Sequence, residues 1–264
     1  MFNFFQIFSR RPLHSLTVEE VARAHEEGTE HALMHGSVSS QYVGDFVFGG
    51  IDGVITTFAV VAGVAGAHLA PHVVLIAGIA SLLADGFAMG VGNFLSARST
   101  LEHYEQERRR EQWEVEHIPE HERQEIYGIY QKQGFSGDVL EGIVRNITSD
   151  KERWIETMMR EELGLSRDDR SAIRAGLVTF VSFVVIGSIP LLSYVAAVFA
   201  PSLISYTFII SILLTGVALF IIGAAKTVVT GQPLLRSGLE ILGVGSVVAL
   251  VAYLVGYFLR DLRI

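Results

Sequence analysis

The chain has 264 residues, of which 50% are hydrophobic and 18% charged, and its mean hydropathy is +0.41. Soluble domains carry about 25% charged residues, so this composition leans towards the membrane class. A net charge of −8 with no offsetting basic stripe argues against a nucleic-acid partner, and the absence of cysteine excludes disulfides and thiolate metal ligands.

In chain order, residues 1–43 form an expected cytoplasmic arm. It opens on an apolar MFNFFQIFSRRP whose arginines follow the apolar stretch, unlike a cleaved signal peptide. Thr17-Val18-Glu19-Glu20 then offers a capping box for a short helix. Transmembrane helices are predicted at 46–68 and 73–97 within a first membrane segment 44–97, and at 174–200, 203–225 and 239–259 within a second, 174–264. From Ala175 to Ala225 no Asp, Glu, Lys or Arg occurs across 51 residues. As one helix that run would be about 76 Å long, more than twice a bilayer core of roughly 30 Å. It must fold back, and Pro201-Ser202 is the natural turn.

Residues 98–173 are the one sizeable water-soluble stretch, rich in Glu, Arg and Gln at helical spacing and broken near Pro119, Gly134 and Gly137. The expected fold is therefore an all-α membrane protein of five spans, with a cytoplasmic helical insert between spans two and three. Orientation follows from the basic residues, which concentrate on the cytoplasmic side. With the N-terminus inside and the C-terminus on the opposite side, eighteen of the twenty Lys and Arg are cytoplasmic.

Chemistry is expected where charge enters apolar sequence. Asp45 and Asp52 are seven apart and fall within about 20° of one helical face. An ionised carboxylate at the depth of Asp52 costs about 3 kcal/mol, so it faces either a polar partner in a neighbouring helix or a wet pathway. Nearby Gly49, Gly50, Gly53, Gly63 and Gly66 read as packing devices, since no phosphate-loop fingerprint accompanies them. In span two, Asp85, Met89 and Asn93 recur every four residues on one face. A carboxylate and a thioether on one path suit Fe²⁺ better than Mg²⁺ or Ca²⁺, although Met89 alone is equally well read as packing.

The insert carries 18 acidic residues between Glu102 and Asp169, with pairs three apart at Glu102/Glu105, Glu111/Glu114 and Glu122/Glu125. Such pairs aim two carboxylates to one side of a helix, and Met158 and Glu162, four apart, add a further edge. A solvated charged face would show the same spacing, so both readings stand at this point. Glu114-x-x-His117 is half of a di-iron carboxylate motif whose second half is missing. Histidines 25, 31, 35, 103, 117 and 121 read as surface residues or auxiliary ligands.

The run Phe48-Gly49-Gly50-Ile51-Asp52-Gly53-Val54-Ile55-Thr56-Thr57-Phe58-Ala59 with Ala62-Gly63-Val64-Ala65-Gly66 resembles the first span of the vacuolar iron transporter family. Ala88-Met89-Gly90-Val91-Gly92-Asn93-Phe94-Leu95 resembles its second span, and Met158-Met159-Arg160-Glu161-Glu162-Leu163-Gly164-Leu165 the end of its cytoplasmic metal-binding domain. The resemblance runs from about residue 44 to 260.

It implies a five-span homodimer with the ion path at the dimer interface, exchanging Fe²⁺, and in some members Mn²⁺ and other divalent ions, for protons. By position, Asp45, Asp52 and Met89 match the translocation residues, and Glu111, Glu114, Glu122, Glu125, Met158 and Glu162 match the cytoplasmic ligands. Ser81 stands where plant members carry a membrane glutamate, and Asp85, one turn later, is the candidate substitute.

The expected activity is export of Fe²⁺ from the cytoplasm by proton exchange, with Mn²⁺, Co²⁺ or Zn²⁺ as further cargo. No enzymatic reaction and no resident cofactor are expected. A bacterial chain would sit in the inner membrane and a eukaryotic one in the vacuolar membrane. The alternative is a membrane-anchored ferroxidase or iron sensor without transport.

Overall fold

The structure, a computed structural model, describes residues 42–230 and 233–261, without the side chains of 226–230, and in the arm Thr17, Glu19, Arg23 and Glu26. The short helix expected in the arm and the histidines 25, 31 and 35 fall outside these residues. Among the described residues every regular element is helical. Five helical segments are long and apolar enough to cross a membrane: Val43–Gly66, Pro71–His117, Ala172–Phe199, Pro201–Ala225 and Leu234–Leu259. The chain divides into two compact units, one of spans that reaches Phe94 and resumes at Ala172, the other covering Leu95–Ser171.

In the membrane-spanning unit, helix α1 (Val43–Gly66) packs against α6 (Ala172–Gly187), α8 (Thr207–Thr230) and α9 (Leu234–Leu259). Glycine sets the distance. A Cβ on Gly49 would lie 2.3 Å from the Ser182 hydroxyl, and one on Gly53 would lie 2.5 Å from the Phe183 carbonyl oxygen. Glycine-lined helix contacts of this kind suit a membrane, where dispersion between close backbones replaces hydrophobic exclusion. Outward-facing side chains of α9 such as Val247, Leu250 and Val251 stay exposed, as a lipid-facing surface requires.

Two features depart from the expected spans. Span two does not stop near Ala97: helix α2 runs unbroken from Pro71 to His117 over 47 residues. No proline or glycine lies between Gly92 and Pro119, so nothing in the sequence interrupts the hydrogen-bond ladder until Pro119 opens the next helix. Span three, expected to be continuous, ends α6 at Gly187, passes through a 3-10 turn at Ile189–Leu191 and resumes as α7 (Leu192–Phe199). Pro190 causes the break, because it lacks the N–H that a continuous helix would use. Its carbonyl accepts a 2.7 Å hydrogen bond from the Ser211 hydroxyl on α8, so the exposed backbone polarity is met by a neighbouring span.

The second unit contains the end of α2, then α3 (Pro119–Lys132), α4 (Gly137–Thr148) and α5 (Lys151–Thr157), which continues into one π-helical turn at Met158–Glu162. Gly134 and Gly137 adopt positive φ angles of 100° and 58°, which lets the chain reverse between α3 and α4. Asp150 caps α5 by accepting from the Arg153 amide at 2.8 Å. Leu140, Val144 and Ile147, spaced for one helical face, bury against Val115, Ile126 and Trp154.

Candidate metal centre

Three glutamates meet inside the second unit. Glu111 and Glu114 share a face near the end of α2, Glu122 comes from the first turn of α3, and one carboxylate oxygen from each lies within 4.8 Å of the others. Glu111 and Glu122 are buried, at 3% and 2% exposure, and the Oε2 of each finds no hydrogen-bond partner. Buried carboxylate oxygens with nothing to accept from are costly unless a cation or a proton occupies the space between them.

Glu125, one turn further along α3, and Glu162, in the π-helical turn, bring their charges to bear on Glu111 and Glu122. π-Helical turns insert a residue into a helix and are frequent at functional sites.

The electrostatics follow from this crowding. Burial, then the charges of Glu162, Glu122, Glu114 and Glu125, push the Glu111 carboxyl up to about 7. Burial, then Glu125, Glu114 and Glu162, push the Glu122 carboxyl up to about 7 as well. Glu162 is raised for the same reasons, with burial first. Arg110 donates to Glu114 at 3.2 Å and is the guanidinium at the rim. Met158 is fully buried among the apolar core residues of this unit.

Other residues singled out by sequence go elsewhere. Glu102 pairs with Arg98 at 2.7 Å on an exposed face. The His117 ring stacks on Trp113 with centroids 4.4 Å apart, and its Nδ1 lies 2.8 Å from the Trp113 carbonyl oxygen. The half-motif Glu114-x-x-His117 therefore contributes its glutamate to the cluster, while its histidine is engaged locally. Arg108–Glu152 and Lys151–Glu116 ion pairs tie the end of α2 to α5.

In the membrane-spanning unit, Asp45 lies in the first turn of α1 and is buried, whereas Asp52 on the same side of that helix is exposed. Asn93 of α2 donates to Asp45 Oδ1 at 2.9 Å. Asp85 is also exposed, accepts from the Ser81 hydroxyl at 2.5 Å and interacts electrostatically with Asp52. Met89 is half-buried against the cluster that contains Phe58, Val61 and Phe183. Ser81, noted in the sequence for what it lacks, thus acts as a donor to Asp85. Thr179, in a span without charged residues, is fully buried, and its hydroxyl accepts from the Asn93 amide at 2.7 Å.

Known proteins supply the comparison. The profile of the VIT family matches residues 43–257. A vacuolar iron transporter of Toxoplasma gondii is 37% identical over 261 residues, covering 96% of this chain and 84% of that protein. One from Plasmodium berghei is 33% identical, with 90% and 89% covered, and vacuolar iron transporter 1 of Arabidopsis thaliana is 34% identical, with 85% and 88% covered. The match takes in the membrane carboxylates and the glutamate cluster alike, and the chain belongs to the VIT family.

Proposed function

We propose that this protein exports Fe²⁺, and secondarily Mn²⁺, from the cytoplasm in exchange for protons, as a two-fold dimer. The observation that carries the reading is the convergence of Glu111, Glu114 and Glu122, with one carboxylate oxygen of each within 4.8 Å of the others and two unpartnered buried oxygens among them. Iron as cargo is supported by membership of the VIT family and by relatives named vacuolar iron transporters.

The insert, 98–173, is the cytoplasmic collecting domain, and Glu111, Glu114, Glu122, Glu125 and Glu162 capture the ion, with Met158 as a soft ligand. Asp45, Asp52, Asp85 and Met89 then line its passage. Protons arriving from the far side neutralise the carboxylates and release the metal, because a ligand must be deprotonated to bind. Placing the insert in the cytoplasm rests on the eighteen of twenty basic residues that this orientation puts inside.

Proteoliposomes test the function and its direction together. Vesicles whose insert faces outward, identified by protease cutting near Arg108–Arg110, should accumulate Fe²⁺ when their lumen is acidic and lose lumenal protons as they do. Oxygen consumption with no Fe²⁺ flux would overturn the reading in favour of an oxidase.

The dimer rests on Asp52 and Asp85. Both carboxylates are exposed on the protomer within membrane-spanning segments, where contact with lipid costs about 3 kcal/mol or more each. A second copy across this face would enclose them in a polar path. Phe48, one turn from Asp52 and 58% exposed, should crosslink to its counterpart when replaced by cysteine. Absence of crosslinks at every exposed position from 44 to 59 would rule out this interface.

A further inference from the structure

We propose that Asn93 is a positioning residue that fixes Asp45 at the entrance of the ion path, and that Thr179 in turn fixes Asn93. The proposal rests on reading Asp45 as part of that path.

The Asn93 Nδ2 has three oxygens within reach: Asp45 Oδ1 at 2.9 Å, Thr179 Oγ1 at 2.7 Å and the Ala175 carbonyl at 3.3 Å. An amide nitrogen carries two hydrogens, so it can satisfy two of them. Thr179 Oγ1 itself donates to the Ala175 carbonyl at 3.0 Å. That leaves its lone pairs for Asn93, and the two amide hydrogens go to Thr179 and Asp45. The nitrogen, not the oxygen, of the amide must therefore face Asp45, since a carboxylate offers only acceptors.

Three spans supply this chain, with Asp45 on α1, Asn93 on α2 and Thr179 on α6, and the backbones are drawn together where it lies. A Cβ on Gly49 would sit 2.5 Å from the Thr179 carbonyl, and one on Gly176 would sit 2.5 Å from the Gly90 carbonyl. Thr179 is fully buried, so its hydroxyl has no water to turn to and its orientation is fixed by the protein.

A hydrogen bond to a charged group in such surroundings orients it as well as stabilising it. Because Asp45 lies in the first turn of its span, losing that orientation should impair entry of the ion more than its crossing. A residue serving only to hold helices together would behave differently, lowering the amount of active transporter and leaving the half-saturating concentration unchanged.

The experiment is Fe²⁺ uptake into proteoliposomes by the full-length protein. Asn93→Leu, close in size but without donors, should raise the half-saturating Fe²⁺ concentration by about tenfold, with maximal flux within about twofold of wild type. Asn93→His, whose ring Nδ1 can replace the amide donor, should recover most of that loss. Thr179→Val, which keeps the shape and removes the anchor, should raise the same concentration by about threefold, the scale of one neutral hydrogen bond.

A lowered maximal flux with unchanged half-saturation in Asn93→Leu overturns the proposal. If Asn93→Leu does not yield folded protein, an unchanged half-saturating concentration in Thr179→Val overturns it. Asp45→Ala separates the two levels of the argument: wild-type half-saturation there removes the role of Asp45 itself. An impaired Asp45→Ala beside a normal Asn93→Leu removes the role of Asn93 alone.

Discussion

Asp52→Ala is expected to abolish Fe²⁺ flux at every metal concentration while leaving a folded, monodisperse protein. Both halves of this expectation come from where the carboxylate sits. Asp52 is exposed on its protomer and has no hydrogen-bond partner among the described residues, so its removal takes nothing from the packing of α1. Helix contact on that segment is made by Gly49, Gly53 and their neighbours, which the substitution leaves in place.

In an apolar span, however, no bulk water can stand in for a lost ligand, and the ion must then cross a stretch where only apolar groups surround it. The penalty for a poorly solvated charge in the bilayer is at least several kcal/mol, enough to lower a crossing rate more than a hundredfold. Raising the metal concentration fills the capture site and does nothing for that barrier. Fe²⁺ uptake against a pH gradient measures it. Flux at near-normal rates in well-folded Asp52→Ala would remove Asp52 from the path, whereas a protein that fails to fold would assign it to helix packing.

The spans were legible because an uncharged run has few alternatives to a membrane, and the turn at Pro201-Ser202 falls between α7 and α8 as expected. What the sequence concealed were continuity and interruption. Hydropathy changes sign near Ala97, yet a helix has no reason to end where its solvent changes, and α2 continues to His117 until Pro119. Conversely, Pro190 breaks a run that stays apolar throughout, so a reading based on charge passes over it.

The glutamates show the same limit at the level of a site. Glu102/Glu105 and Glu111/Glu114 have identical spacing, but only the second pair lies where α3 and the π-helical turn bring further carboxylates against it. Spacing along one helix reports which side chains share a face. It cannot report what covers that face. Resemblance to a family singles out Glu111, Glu114, Glu122 and Glu125, whereas the register of Asn93 with Met89 cannot reveal its partners Asp45 and Thr179, which lie 48 and 86 residues away.

If the glutamate cluster captures the ion as proposed, it predicts opposite effects on stability and on affinity. In the metal-free protein the Glu111 and Glu122 carboxyls sit at about 7 against an ordinary 4.5, raised first by burial and then by their neighbours. A folded-state pKa above the unfolded value favours folding when the group is protonated. That contribution is complete below about pH 4.5 and is lost as pH rises through about 7. Without metal the unit Leu95–Ser171 should therefore weaken between those limits, and a divalent ion should restore it at pH 7.5 by replacing the lost protons.

Glu122→Gln removes one of the crowded charges. It should raise the thermal stability of the metal-free protein at pH 8, where wild type carries its full repulsion. It should at the same time raise the half-saturating Fe²⁺ concentration by about tenfold or more, the cost of losing one charged contact, with maximal flux little changed. For wild type the half-saturating concentration should climb as pH falls from 8 to 6, since protons and metal compete for the same oxygens, and the climb should be shallower in the variant. Thermal melts with and without Mn²⁺ as a redox-stable probe, alongside uptake at each pH, measure both sides. A variant that is less stable without metal at pH 8, and that still responds to metal as wild type does, would show that these glutamates do not form a metal site.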